Sequence, residues 1–277
     1  MAPSNRVQQN CVREDLIFDV GLHKGEDAAY YLRKGFRVVG IDANPDLIEW
    51  NRKRFAGNER ITIIFGAIAE GQGNVRFFVD KQSTWGTVDP DWATRNVRLG
   101  STHHEIEVPI FDIREAFQRW GVPYYLKLDI EGREDVIIDA LAELSGRPAF
   151  ISMESEKIDF RKLIHELQKL RNLGYRRFQV VPQVHIPNSS IRTRDRNGSI
   201  FNYVFEDDAS GAFGDDLNGR WICFAEAAAR YAFIFIQYKL FGDNGLMFRL
   251  RGGTFIHRLL MACFGAFPGW YDTHARL

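Results

Sequence analysis

The apolar positions switch repeatedly between the two periods of regular secondary structure. Residues 16–20 form a short apolar run, 37–42 a second and 61–67 a third. Each is bounded by polar or glycine turns, which is the pattern of buried strands. Between them, residues 26–34 repeat apolar positions at helical spacing and stop at Gly35. Pro45 opens a second helix reaching about residue 55, because proline suits the first helical turn. The segment "GQG" at 71–73 turns the chain into a hairpin arm over 74–79. Residues 81–104 are polar, with Trp85 and Trp92, and read as a long functional loop. The pattern then resumes: helix 113–120, strand 124–129, helix 133–144, strand 149–154, helix 159–173 ending at Gly174, and strand 176–181.

This alternation of strands and helices predicts an α/β fold, a parallel sheet with helices on both faces. After Pro182 the rhythm breaks. Residues 182–199 read as loop, 200–205 as a returning strand, and 207–219 as a second polar loop. The remainder is aromatic-rich and helix-prone from 225 to 238. The chain therefore divides into a lead-in over 1–15, a ligand-binding domain over 16–205 and a C-terminal appendage over 206–277. In the appendage Ala229, Phe233, Ile236 and Leu240 recur at near-helical spacing. They would need a surface to bury, either over an acceptor pocket as a lid or in a homodimer interface.

Composition narrows the class of protein. Hydrophobic residues make up 45% and charged residues 26% of 277, enough apolar content for a sizeable core. Lys and Arg number 36 and so do Asp and Glu, so no overall attraction to nucleic acid is expected. Cys11, Cys223 and Cys263 are scattered and odd in number, against a disulfide framework or a zinc site. The opening "MAPSNRVQQNCVRED" has no apolar core, and the run "YAFIFI" is too short to cross a bilayer. These features predict a cytoplasmic protein without a transmembrane segment.

The chemistry concentrates at "FDVGLHKGEDAAYYLRKGFRVVGIDANP". A strand ends at Asp19, a turn carries Gly21 and Gly25, a helix follows, and the next strand ends on Asp42. In open α/β sheets ligands lie at the carboxyl ends of strands, and an acid about 20 residues beyond a glycine turn meets a ribose. Glycine lets the backbone turn tightly and approach a ligand. A dinucleotide site would want a central glycine and no acid beside its pyrophosphate. Asp19 suits instead a ligand bearing an ammonium and a sulfonium, as S-adenosylmethionine does.

This stretch, with "ITIIFGAIAE" and "YYLKLDIEGREDVIIDAL", resembles the FkbM family of S-adenosylmethionine-dependent methyltransferases over residues 16–181. His23 stands where the family often has Asn. The resemblance implies a class I methyltransferase fold, a Rossmann-like sheet, and methylation of a hydroxyl on a sugar, glycan or natural product. By position it implies that Asp19, Gly21, His23, Lys24 and Gly25 frame the methionine end of the cofactor. Asp42 and Ala43 would meet the ribose, Ala67 and Ile68 would line the adenine edge, and Asp129 would close the site.

In "YLKLDIEG", Lys127, Asp129 and Glu131 alternate within what should be an apolar central strand. Lys127 reads as a buried partner of one acid, and Asp129 and Glu131 as groups facing a ligand. Methyl transfer to oxygen needs alignment, exclusion of water and a group to take the hydroxyl proton. His103, His104, Glu131 and Glu154 are candidates for that base. A divalent metal on Asp129, Glu131 and Glu154 is chemically allowed, but the spacing does not demand one and none is assigned. Trp85, Trp92, Trp120 and Tyr125 offer stacking faces. Two other classes stay open at this point: a nicotinamide-dependent oxidoreductase, and a non-catalytic cofactor-binding or membrane-surface module using the basic, aromatic tail.

Overall fold

The computed structural model describes residues 11–80, 86–88, 94, 102–130, 132–156, 159–241, 262 and 269–277. Its centre is a seven-stranded sheet. The strands are β1 (Val12–Val20), β2 (Arg37–Asp42), β3 (Ile61–Phe65), β6 (Val122–Leu128), β7 (Phe150–Glu154), β8 (Arg177–Pro182) and β11 (Tyr271–Arg276), in the order β3-β2-β1-β6-β7-β11-β8. β1, β2, β3, β6 and β7 pair in parallel. β11 runs antiparallel to both of its neighbours, β7 and β8. This is the class I methyltransferase order. The wedged antiparallel strand departs from the wholly parallel doubly wound sheet of dinucleotide folds.

Both faces are covered. One carries α3 (Ile113–Trp120), α4 (Glu134–Ala142), α5 (Phe160–Asn172) and α6 (Phe224–Phe241), whose apolar sides close over Leu126, Leu128, Ile151, Met153 and Phe178. The other carries α1 (Glu26–Arg33) and the segment from Ile186 to Trp221, over Ile17, Tyr125 and Phe150. α2 (Pro45–Arg54) packs against β2 and β3. Its N-cap Asn44 accepts a hydrogen bond from the Asp46 amide at 3.0 Å, satisfying a donor that has no partner inside the helix.

Several expectations change. Residues 103–109 form β5 (His103–Pro109), paired with β4 (Asn74–Asp80) in a separate hairpin, so His103 and His104 lie on a strand. Residues 182–199 contain β9 (Ser190–Arg194), paired with β10 (Ile200–Val204). The end of the expected appendage is no appendage: β11 lies inside the sheet, with Ala275, Thr273 and His274 at most 2% exposed. α6 buries Ala227, Tyr231, Ile234 and Phe235. The stripe of Ala229, Phe233, Ile236 and Leu240 faces outward instead, because α5 and β8 meet the opposite side of the helix. Trp85, Trp92 and much of the tail lie outside the described residues. Among the described residues, no helix is long and apolar enough to cross a membrane.

His274 gives a test of this interior. Its Nε2 is buried with no hydrogen-bond partner, and burial pulls its pKa down to about 3. The folded pKa lies below the unfolded one near 6.5, so stability is full above pH 6.5 and is lost as pH falls toward 3. Between pH 6.5 and 4.5 the wild type should lose roughly 2 to 3 kcal/mol more than His274→Gln. Urea unfolding of both proteins at the two pH values checks this, and parallel losses would contradict it.

Candidate active site

Acidic side chains line the carboxyl edge of the sheet. Asp19 faces Lys127 across β1 and β6. Asp129 follows two residues later, just past the end of β6, with its amide donating to Val20 O at 2.8 Å. Glu154 ends β7 opposite Asp272 of β11. Residues in register point to the same face of a sheet, so these groups share one rim.

Lys127 is the cation at the centre. Its ammonium lies 3.2 Å from Asp129, 3.3 Å from Asp27 and 3.5 Å from Asp19. Burial would lower its pKa, but the carboxylates outweigh burial and hold it well above the ordinary lysine value. Lys127 is therefore charged, and the acids outnumber it. Burial raises Asp19 to about 8, against the pull of Lys127, and raises Asp27 as well. Asp272 is pushed well up by burial and by Asp129 and Glu154. At a protein-like dielectric constant of about 20, a unit charge 4 Å from a carboxylate is worth about 4 kcal/mol. An acid-rich rim of this kind favours a cationic ligand over a pyrophosphate.

The turn is built for close approach. Gly21 has φ +87, and a Cβ there would lie 1.8 Å from the Asp129 carbonyl oxygen. Gly25 has φ +80 and is closed in by Asn51 and Phe55. Asp42 accepts from the His23 amide and the Asn44 amide, each at 2.8 Å. Burial lifts its pKa to about 6 against those two hydrogen bonds. Each carboxylate oxygen keeps a second lone pair. The Lys24 carbonyl accepts from Arg54 at 2.9 Å, so Lys24 serves the turn through its backbone. Ala43 and Ala67 share a small apolar cluster with Phe65 and Val79, beside the ends of β2 and β3. Ile68 belongs to the main core.

The structure thus gathers Asp19, Gly21, His23, Gly25, Asp42 and Asp129 through direct contacts. Among the described residues, no hydrogen bond or ion pair joins His103 or His104 to this group. His103 packs edge-on against Phe78 in the hairpin, and His104 is exposed. Glu131 lies outside the described residues. Tyr125 is buried and stacks on Phe213 at 4.3 Å, and Trp120 packs on the main core, so both are core anchors.

Sequence reasoning missed Asp27 and Asp272. Asp27 sits in the first turn of α1 and accepts from the Ser210 and Gly211 amides at 3.0–3.2 Å. Its doubled acid with Glu26 was the available signal. Glu154 shares a shallow, open surface depression with Gly132, Glu134, Ser155, Glu156, Lys162 and Glu166. Burial raises Glu134 to about 7, even though its carboxylate accepts from the Gly132 and Ile130 amides.

The residues present fit S-adenosylmethionine. Asp19 is buried with the Lys127 ammonium 3.5 Å away, Asp129 stands half-exposed beside the same ammonium, and Asp42 lies one strand away with a spare lone pair on each oxygen.

Residues 19–177 match the family described as "Methyltransferase FkbM domain". No curated protein matches the chain. Among solved structures, precorrin-6Y C5,15-methyltransferase from Geobacter metallireducens is 12% identical, covering 72% of this chain and 80% of that one, with a TM-score of 0.37. The C-terminal domain of the Rhodobacter capsulatus enzyme of the same description is also 12% identical, with the same coverage and a TM-score of 0.35. The 23S rRNA methyltransferase ErmE is 12% identical, covering 92% and 84%, with a TM-score of 0.34. At such scores the sheet order itself, and not these likenesses, identifies the fold.

Proposed function

Because the chain belongs to the FkbM methyltransferase family, with S-adenosylmethionine the methyl donor that membership implies, we propose that it methylates a hydroxyl oxygen of a sugar, glycan or natural product. The observation that supports this reading is the acid-rich rim beside the glycine turn, where Asp129, Asp27 and Asp19 lie 3.2, 3.3 and 3.5 Å from the Lys127 ammonium. S-adenosylmethionine, when bound, supplies a methyl group on a positively charged sulfur. Asp19 and Asp129 face that charge, with Lys127 holding both acids in place. Asp42 takes the ribose hydroxyls on its spare lone pairs. Gly21 and Gly25 let the turn pack tightly against Asp129, Asn51 and Phe55, which fixes its place beside the rim.

The acceptor approaches the rim at Glu154, where β7 ends opposite Asp272. As the acceptor oxygen attacks in line, its proton passes to the Glu154 carboxylate. Of His103, His104, Glu131 and Glu154, the four candidates for the base, Glu154 is the one described at the rim next to Asp129 and Asp272.

Two variants test the assignment. Asp42→Ala should weaken S-adenosylhomocysteine binding by roughly 1 to 3 kcal/mol, since it removes a charged acceptor from two hydroxyls. Glu154→Gln should slow transfer while leaving that affinity unchanged. Calorimetry and a labelled-methyl assay against a panel of sugar and natural-product hydroxyls measure both. Wild-type affinity in Asp42→Ala would remove the ribose role. A product methylated on nitrogen or carbon, seen by mass spectrometry, would overturn oxygen as the acceptor.

A further inference from the structure

The turn that carries His23 also brings its imidazole near two carboxylates. We propose that His23, Glu26 and Asp208 bind a divalent transition-metal ion, which pins the loop carrying Asp208 onto the glycine turn. The imidazole, the Glu26 carboxylate and the Asp208 carboxylate each offer one donor atom, and these atoms lie within 4.8 Å of one another. Two donors on one zinc ion, each about 2.0–2.2 Å from it, are roughly 3.4 Å apart. Side-chain rotation is enough to close the set.

Each donor is held from behind. The His23 amide donates to Asp42 at 2.8 Å, and the His23 carbonyl accepts from Asn51 at 2.5 Å. The ring then places Nδ1 3.0 Å from Glu26 Oε1. Glu26 is 5% exposed. Asp208 arrives from a distant part of the chain. Glu206, two residues before it, is paired with Arg54, which also donates to the Lys24 carbonyl in the turn. Ser210 and Gly211, just after it, donate to Asp27. Asp208 is thereby anchored over the turn from both sides, in the left-handed conformation at φ 64, as His23 is at φ 49.

The donor set selects the ion. One imidazole nitrogen and two carboxylates suit zinc and its neighbours better than magnesium, which prefers oxygen ligands and keeps most of its water. Two carboxylates also match the ion's double charge. Three protein ligands leave a position for water or another small ligand.

The experiment uses the full chain, stripped with a chelator and titrated with ZnCl₂ by calorimetry, with melting followed in parallel. It needs no methyl donor or acceptor, so it stands apart from the activity. One ion per chain should bind and raise the melting temperature. Asp208→Asn should weaken binding at least tenfold and cancel that rise. Its side chain is exposed, so the metal-free melt should not move. His23→Asn should weaken binding likewise. Absence of saturable binding at millimolar ZnCl₂ would overturn the site. So would binding of unchanged affinity in Asp208→Asn, which would place the ion on other groups among the chain's seven histidines and its cysteines.

Discussion

Deleting residues 271–277 is expected to abolish cooperative folding. Those residues supply β11, which hydrogen-bonds β7 on one side and β8 on the other. The Tyr271 carbonyl accepts from the Ser155 amide, the Arg276 carbonyl accepts from Arg176, and the Leu277 amide donates to Ala149. Thr273 joins Ser155 and Tyr231 in a buried cluster of hydroxyls at 2.6–3.0 Å. Each such hydrogen bond nets only about 1 kcal/mol, but an orphaned buried partner costs about 1 to 3. Two whole ladders lost together rival the roughly 5–15 kcal/mol that typically holds a domain. The sequence pattern alone supports a different outcome, in which deleting residues 225–277 leaves S-adenosylhomocysteine binding but abolishes transfer. The place of β11 between β7 and β8 argues for loss of the fold instead. A truncated chain that melts cooperatively within a few degrees of the full one, by circular dichroism, would refute the structural role.

Gly21→Ala is expected to cost at least roughly 3 kcal/mol and to eliminate cofactor binding. Two penalties add. A side chain at φ +87 costs about 1 to 2 kcal/mol by itself. The new Cβ would also meet the Asp129 carbonyl oxygen at 1.8 Å, and backbone does not yield as a flexible side chain does. Relief requires β1 and β6 to part at the point where Lys127 holds Asp19 and Asp129 together. Gly57→Ala is the control: its φ is +77, but nothing lies within 4 Å of the added carbon, so about 1 to 2 kcal/mol is the whole expected effect. Chemical denaturation separates the two, and calorimetry reads the cofactor. Equal costs for Gly21→Ala and Gly57→Ala would mean that the close approach to Asp129 is unimportant.

The turn after β1 was legible because its signals are local: Gly21, Gly25 and Asp42 announce themselves by spacing between apolar runs, and Asp42 accepts from the His23 amide within that turn. The strand over residues 103–109 did carry a signal: Ile106 and Val108 alternate with polar residues, but two histidines and the preceding polar stretch drew the reading toward loop. β9, "SIRTR", is half-exposed and mostly polar, so nothing apolar marked it. β11 was illegible for a deeper reason. "YDTHAR" contains no apolar run, and its burial comes from β7 and β8 flanking it, a fact of topology absent from local sequence. Asp272, which it carries to the rim beside Glu154, was hidden with it.

The late position of β11 also sets the order in which the protein takes shape. β7 and β8 are made early, yet the strand that joins them follows only after the chain from Pro182 to Tyr271. Until it docks, both present open hydrogen-bonding edges within the apolar centre of the sheet. Pairing across so long a separation is slow, because loop closure is unfavourable until the contacts form. Such unpaired edges recruit other chains. Refolding from denaturant should therefore be slow and sensitive to protein concentration, with self-association competing against insertion of the last strand.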